Sequence, residues 1–130
     1  MSPPSFLTAS CYVAAGGALG SWLRFLVARA FSPMAGAFPW ATLTVNVVGS
    51  FAMGLLAGWL ARMGSHGEGW RLLIGVGVLG GFTTFSAFSL DFAVLVERGA
   101  LGMAMTYVAA SLIAGFGGLF AGLFLIRAVA

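Results

Sequence analysis

Charge is nearly missing from this chain. Only 7% of its 130 residues are charged, against roughly 25% in an average soluble domain. Lysine is absent, so all six cationic side chains are arginines, set against three carboxylates. The arginines stand singly, without the clustered basic face and interleaved aromatics of a nucleic-acid surface, and nucleic acid is excluded as a partner. Cys11 is the single cysteine, which excludes an intrachain disulfide and a zinc ligand set. One histidine, His66, lies in a hydrophilic stretch with no metal-ligating companion. Three scattered carboxylates and that histidine cannot assemble an acid, a base and a nucleophile, so the chain is not expected to be an enzyme or to carry an organic cofactor.

Hydrophobic side chains make up 61% of the residues, and the mean hydropathy is +1.06. Lipid, not water, is the expected solvent. A bilayer core takes roughly 20 apolar residues per helix, which divides 1–130 into a single all-α transmembrane domain with spans at 6–31, 39–61, 71–96 and 100–126. No soluble domain fits beside them. The first apolar stretch runs past the length of a signal-peptide core and lacks a basic leader, so it is expected to remain as a span. Pro39 suits a first helical turn, Trp40 and Trp59 suit the two interfaces, and Arg62 to Trp70 reads as a hydrophilic turn.

With four spans, one side receives Arg62, Arg71 and Arg127, and the other Arg24, Arg29 and Arg98. Orientation follows the Lys/Arg bias of short loops, and here that bias is zero. Insertion in both orientations, with antiparallel partners, is the expectation. Small-xxx-small pairs at Gly16/Gly20, Gly54/Gly58, Gly77/Gly81 and Gly118/Gly122 give every span a face for close packing.

Polar residues share this spacing. Thr42, Asn46, Ser50 and Gly54 follow at i, i+4, as do Tyr107, Ser111 and Gly115, so each row lies on one helix face. Hydroxyls there serve either as interhelical glue or as the lining of a polar path. A mid-span amide such as Asn46 faces another helix or a water-filled route. Arg24 either snorkels to the interface or gathers anions at a pore mouth, and Asp91 is a candidate partner for an arginine. Gly75 to Gly80 matches G-x-G-x-x-G, but no strand precedes it, so the dinucleotide reading fails on context. In Gly80-Gly81-Phe82-Thr83-Thr84-Phe85-Ser86-Ala87-Phe88-Ser89, glycines and hydroxyls replace the aliphatic run of a span. A break or a kink is expected there, and non-helical backbone at membrane depth must be buried by protein or line a cavity. Phe85, Phe88 and Phe92 then share a face, either as packing or with positive ring edges turned to an anion.

The Gly80–Ser89 string, Thr42 to Phe51, Gly16 to Arg24, and Tyr107 with Ser111 together resemble the fluoride channel (CrcB/Fluc) family over nearly the whole chain. That resemblance implies a passive, fluoride-selective channel in the bacterial inner (plasma) membrane that exports fluoride from the cytoplasm. It implies an antiparallel, dual-topology homodimer in membrane lipid, with two pores along the interface and a structural sodium ion at the centre. Asn46, Phe85, Phe88, Tyr107 and Ser111 would line the pores, joined by the hydroxyls of Thr84 and Ser86, with Arg24 at the mouth. The backbone carbonyls of Gly80 and Thr83 would hold the sodium. Ala87 and Gly115 depart from the hydroxyl residues that the family pattern places there. A small multidrug-type exporter is a rival architecture, but it needs a carboxylate in the first span, which this chain lacks. A structural membrane subunit is the other rival, separated by flux measurements.

Overall fold

Ser5 starts the first helix: its hydroxyl accepts the Thr8 N–H at 3.2 Å, the N-cap arrangement that satisfies one of the free donors of a first turn. Helix α1 then runs Phe6–Phe31. A short 3-10 turn, Ser32–Met34, leads toward α2, Trp40–Met63, which Pro39 precedes rather than opens. The computed structural model describes residues 3–34, 36 and 38–129; residues 1–2, 35, 37 and 130 of the expected 1–130 domain lie outside the described residues.

After α2, Gly64 takes φ 54, a left-handed conformation open to glycine without steric cost. The polar turn is a 3-10 helix, Gly64–Gly67. Helical structure resumes earlier than the sequence suggests, at α3, Glu68–Trp70, where Arg71 pairs with Glu68 at 2.7 Å. A π-helical segment, Arg71–Leu79, and α4, Gly80–Phe82, carry it to the break. Thr83 (φ −81, ψ 157) and Thr84 (φ −153, ψ 118) are extended. Then α5 covers Phe85–Glu97 and α6 Leu101–Val129, joined through Gly99 at φ 75. The described residues are all-helical, and three helical runs are long and apolar enough to cross a membrane: Phe6–Phe31, Trp40–Glu97 and Leu101–Val129.

The glycine pairs explain how these helices meet. A Cβ on Gly16 would strike the Leu73 carbonyl, one on Gly20 the Val78 carbonyl, and one on Gly81 the backbone of Gly17. Helix α1 therefore lies backbone to backbone on the π segment and α4. On the other side, Gly54 faces the Leu119 carbonyl and Gly122 the Phe51 carbonyl, joining α2 to α6 in the same way. In lipid there is little hydrophobic force between helices, so such close approach, with its dispersion contacts, is what associates them. The buried apolar centre is small: Leu95, Ala104 and Tyr107. Large apolar side chains such as Phe6, Phe85, Ile113 and Phe116 point outward.

Candidate functional site

Helix α2 holds the break. The methyl of Thr83 fills the space that a Cβ on Gly49 would need. One turn away, Asn46 grips the next peptide from both ends: its Oδ1 accepts the Thr84 N–H at 2.8 Å, and its Nδ2 donates to the Thr84 carbonyl at 3.1 Å. Two backbone groups that would be costly to leave bare at membrane depth are thereby satisfied by one side chain. One amide N–H of Asn46 is left over. Thr84 in turn caps α5, its Oγ1 accepting the Ala87 N–H at 3.1 Å and lying 3.3 Å from the Ser86 hydroxyl.

Beside this clamp lies a cleft of about 320 Å³ lined by Asn46, Ser50, Thr83, Thr84, Phe85, Phe88, Ser111 and Gly115, with Met53, Leu112, Phe116 and Leu119 on its apolar walls. Four of the expected pore residues that stand far apart in sequence, Asn46, Thr84, Phe88 and Ser111, thus share one cavity. Phe85 joins them with 80% of its surface exposed, its ring centroid 5.7 Å from that of Phe88. The Ser111 Oγ is buried and has no hydrogen-bond partner among the described residues. Gly115 adds no hydroxyl, but a side chain begun there would come within 3.9 Å of the Ser50 Oγ, so Ser50 supplies a hydroxyl close to the place where one is missing.

Other expected residues lie elsewhere. Tyr107 is fully buried and does not line the cleft; its ring sits behind Phe88, centroids 5.2 Å apart, and its hydroxyl donates to Asp91 Oδ2 at 3.1 Å. Asp91 therefore pairs with a phenol, not with the arginine considered for it, because α5 and α6 fold back on each other at Gly99 and bring these two positions together. Ser86 is exposed and points its hydroxyl to Thr84. Arg24 borders a separate cleft of about 330 Å³ that Ser21, Thr42, Thr84 and Ala87 share, so Thr84 stands between the two cavities. Gly80 is exposed and Thr83 half-buried.

The sequence reasoning missed one participant and one pairing. Phe38, from the loop before α2, stacks edge-on to Tyr107 at 5.6 Å and 85° and borders a third cleft with Thr42, Asp91 and Arg98. Through Tyr107 it joins Phe88 and Phe85 in a chain of rings reaching from the helix break to the start of α2. The Asp91–Tyr107 pair carried a usable signal, since the two residues are equally spaced about Gly99.

No group of three His, Cys, Asp or Glu able to hold a metal occurs among the described residues. The break offers a cation backbone carbonyls instead, because carbonyls of a terminal turn lose their helical donors. Hard oxygen donors of that kind fit an ion such as sodium.

Comparison with known proteins gives a consistent result. The family described as CrcB-like protein, Camphor Resistance (CrcB), matches residues 11–123. A fluoride-specific ion channel of Novosphingobium aromaticivorans is 57% identical over 127 residues, 95% of this chain and 100% of that protein. Another, from Rhodospirillum centenum, is 60% identical over 116 residues, covering 88% and 92% of the two chains. A third, from Caulobacter vibrioides, is 54% identical over 119 residues, covering 90% and 94%.

Proposed function

Since the chain belongs to the CrcB-like family, we propose that it is a fluoride-specific channel through which fluoride leaves the bacterial cytoplasm passively across the inner membrane. Its relatives are ion channels, not enzymes. The observation that carries the reading is the cleft, in which a buried hydroxyl without a partner, Ser111, faces the amide of Asn46 and the rings of Phe85 and Phe88. A buried polar group left unpaired costs about 1–3 kcal/mol, and an anion that accepts from it removes that cost. Fluoride sheds water reluctantly and needs donors along its route, since a bare charge in hydrocarbon costs tens of kcal/mol by the Born estimate. The free N–H of Asn46, the Ser111 and Ser50 hydroxyls and the positive ring edges supply them. Arg24, beside Thr84, raises the local anion concentration.

The run Trp40–Glu97 has 58 residues and would be about 87 Å long as one straight helix, nearly three times a hydrocarbon core of about 30 Å. It crosses twice, reversing at Gly64, and the chain has four spans with the third broken. The three-to-three arginine count supports dual topology. The open flank of the cleft, bordered by exposed Phe85 and Phe116, supports an antiparallel second copy as its missing wall and one pore on each side of the interface. The carbonyls of Gly80 and Thr83 would hold a central sodium ion, whose charge would tie the broken helix ends of both copies together.

Purified protein in fluoride-loaded liposomes tests the function. Fast fluoride release with chloride retained is expected, and release no faster than from protein-free vesicles would reject it.

A further inference from the structure

The sodium reading leaves open how these two carbonyls come to be free. We propose that Asn46 and Thr84 are positioning residues for the cation: each side chain takes the N–H that helical geometry would otherwise deliver to Gly80 or Thr83. The inference rests on the sodium site proposed above.

In a continuous α-helix each carbonyl accepts from the N–H four residues ahead. For Gly80 that donor is the Thr84 N–H, which goes to Asn46 Oδ1 at 2.8 Å. For Thr83 it is the Ala87 N–H, which goes to Thr84 Oγ1 at 3.1 Å. No backbone N–H is recorded on either carbonyl among the described hydrogen bonds outside the helices. Two neighbours behave differently. The Leu79 carbonyl accepts both the N–H of Thr83 at 3.0 Å and its hydroxyl at 2.8 Å, and the Gly81 carbonyl accepts from the Ser21 hydroxyl at 3.5 Å. Side chains thus occupy the carbonyls of Leu79 and Gly81, on either side of Gly80, while Gly80 and Thr83 lose their helical donors to Asn46 and Thr84; the Phe82 carbonyl, next to Thr83, likewise receives no N–H among those described bonds.

The surroundings suit this role. Gly80 is exposed, and a Cβ built on it meets nothing closer than the Gly75 carbonyl at 3.7 Å, so a second copy could approach. The second bond of the clamp, from Asn46 Nδ2 to the Thr84 carbonyl, fixes the peptide plane and with it the direction of the diverted N–H. One residue of α2 thus serves the anion cleft and the cation site at once, through different atoms of its amide.

This separation makes the inference testable with isosteres. Asn46→Asp keeps the acceptor for the Thr84 N–H and loses the donor; Asn46→Leu loses both. Thr84→Ser keeps the cap on Ala87; Thr84→Val loses it. Thermal stability of the purified dimer is measured with sodium or N-methylglucamine as the only cation. A ligand that binds only the folded state raises the melting temperature with its concentration. The sodium-dependent rise is expected in the wild type, Asn46→Asp and Thr84→Ser, and lost in Asn46→Leu and Thr84→Val. A full rise in Asn46→Leu would overturn the inference. A wild type without any sodium dependence would remove the cation site itself. A solid-state NMR distance from the Gly80 carbonyl carbon to the Thr84 nitrogen decides the geometry independently of sodium and of any loss of stability. It is expected to shorten to the helical value in Asn46→Leu, and a distance already helical in the wild type would refute the diversion.

Discussion

Replacing Ser111 with alanine separates an anion site from interhelical glue, because the two predict opposite signs for stability. Three other helical hydroxyls bond back to the carbonyl four residues earlier: Ser10 to Phe6 at 2.8 Å, Ser89 to Phe85 at 2.9 Å and Thr106 to Gly102 at 2.9 Å. The Ser111 hydroxyl is buried and makes no such bond. Leaving it unpaired costs about 1–3 kcal/mol, so without fluoride Ser111→Ala is expected to leave stability unchanged or raise it by about 1 kcal/mol, after allowance for the small void. With fluoride the sign reverses. A hydrogen bond to a charged group contributes about 1.5–3 kcal/mol, and its loss is expected to weaken fluoride occupancy roughly tenfold to a hundredfold. Melting temperatures in fluoride and in gluconate, with fluoride flux on the same preparations, measure both effects. A variant destabilised in gluconate and undiminished in flux would show that the hydroxyl serves only to hold helices together.

Phe88→Ile keeps apolar bulk and removes the ring edge, so fluoride flux in liposomes is expected to fall strongly while the gel-filtration profile stays that of the wild type; near-normal flux would assign Phe88 to packing. Gly20→Ala puts a methyl into the Val78 carbonyl and is expected to cost about 1–3 kcal/mol in thermal unfolding, whereas Gly17→Ala, which meets nothing within 4 Å, is expected to be neutral. Two lysines added between Gly64 and Gly69 should break the arginine balance, fixing one orientation and lowering fluoride tolerance of cells until a copy with the opposite bias is co-expressed. Tags on wild-type termini that all map to one side of the membrane would contradict dual topology.

The packing faces were legible because a small residue every fourth position has one structural use in lipid, but which spans meet, α1 with the π segment and α2 with α6, was not. The break was legible as well, since Gly80 and Gly81 followed by hydroxyls cannot sustain a span. What holds it open was not. The Asn46–Thr84 bonds join residues 38 positions apart, and a row of polar residues at helical spacing gives no indication of which backbone group each will find. Asp91 looked like half of an ion pair because charge is the strongest local cue, yet its partner is set by the hairpin at Gly99. The π geometry of Arg71–Leu79 left no mark among aliphatics and glycines. Phe38 escaped notice because a loop aromatic has no periodicity to place it on a face.

The central claim, a fluoride-selective passive conductance, is tested most directly by the reversal potential of the purified protein in a planar bilayer with fluoride on one side and an equal concentration of chloride on the other. Current that reverses far from zero, with the sign set by fluoride, is the predicted result. Reversal near zero, or no current above that of the bare bilayer, would contradict the account.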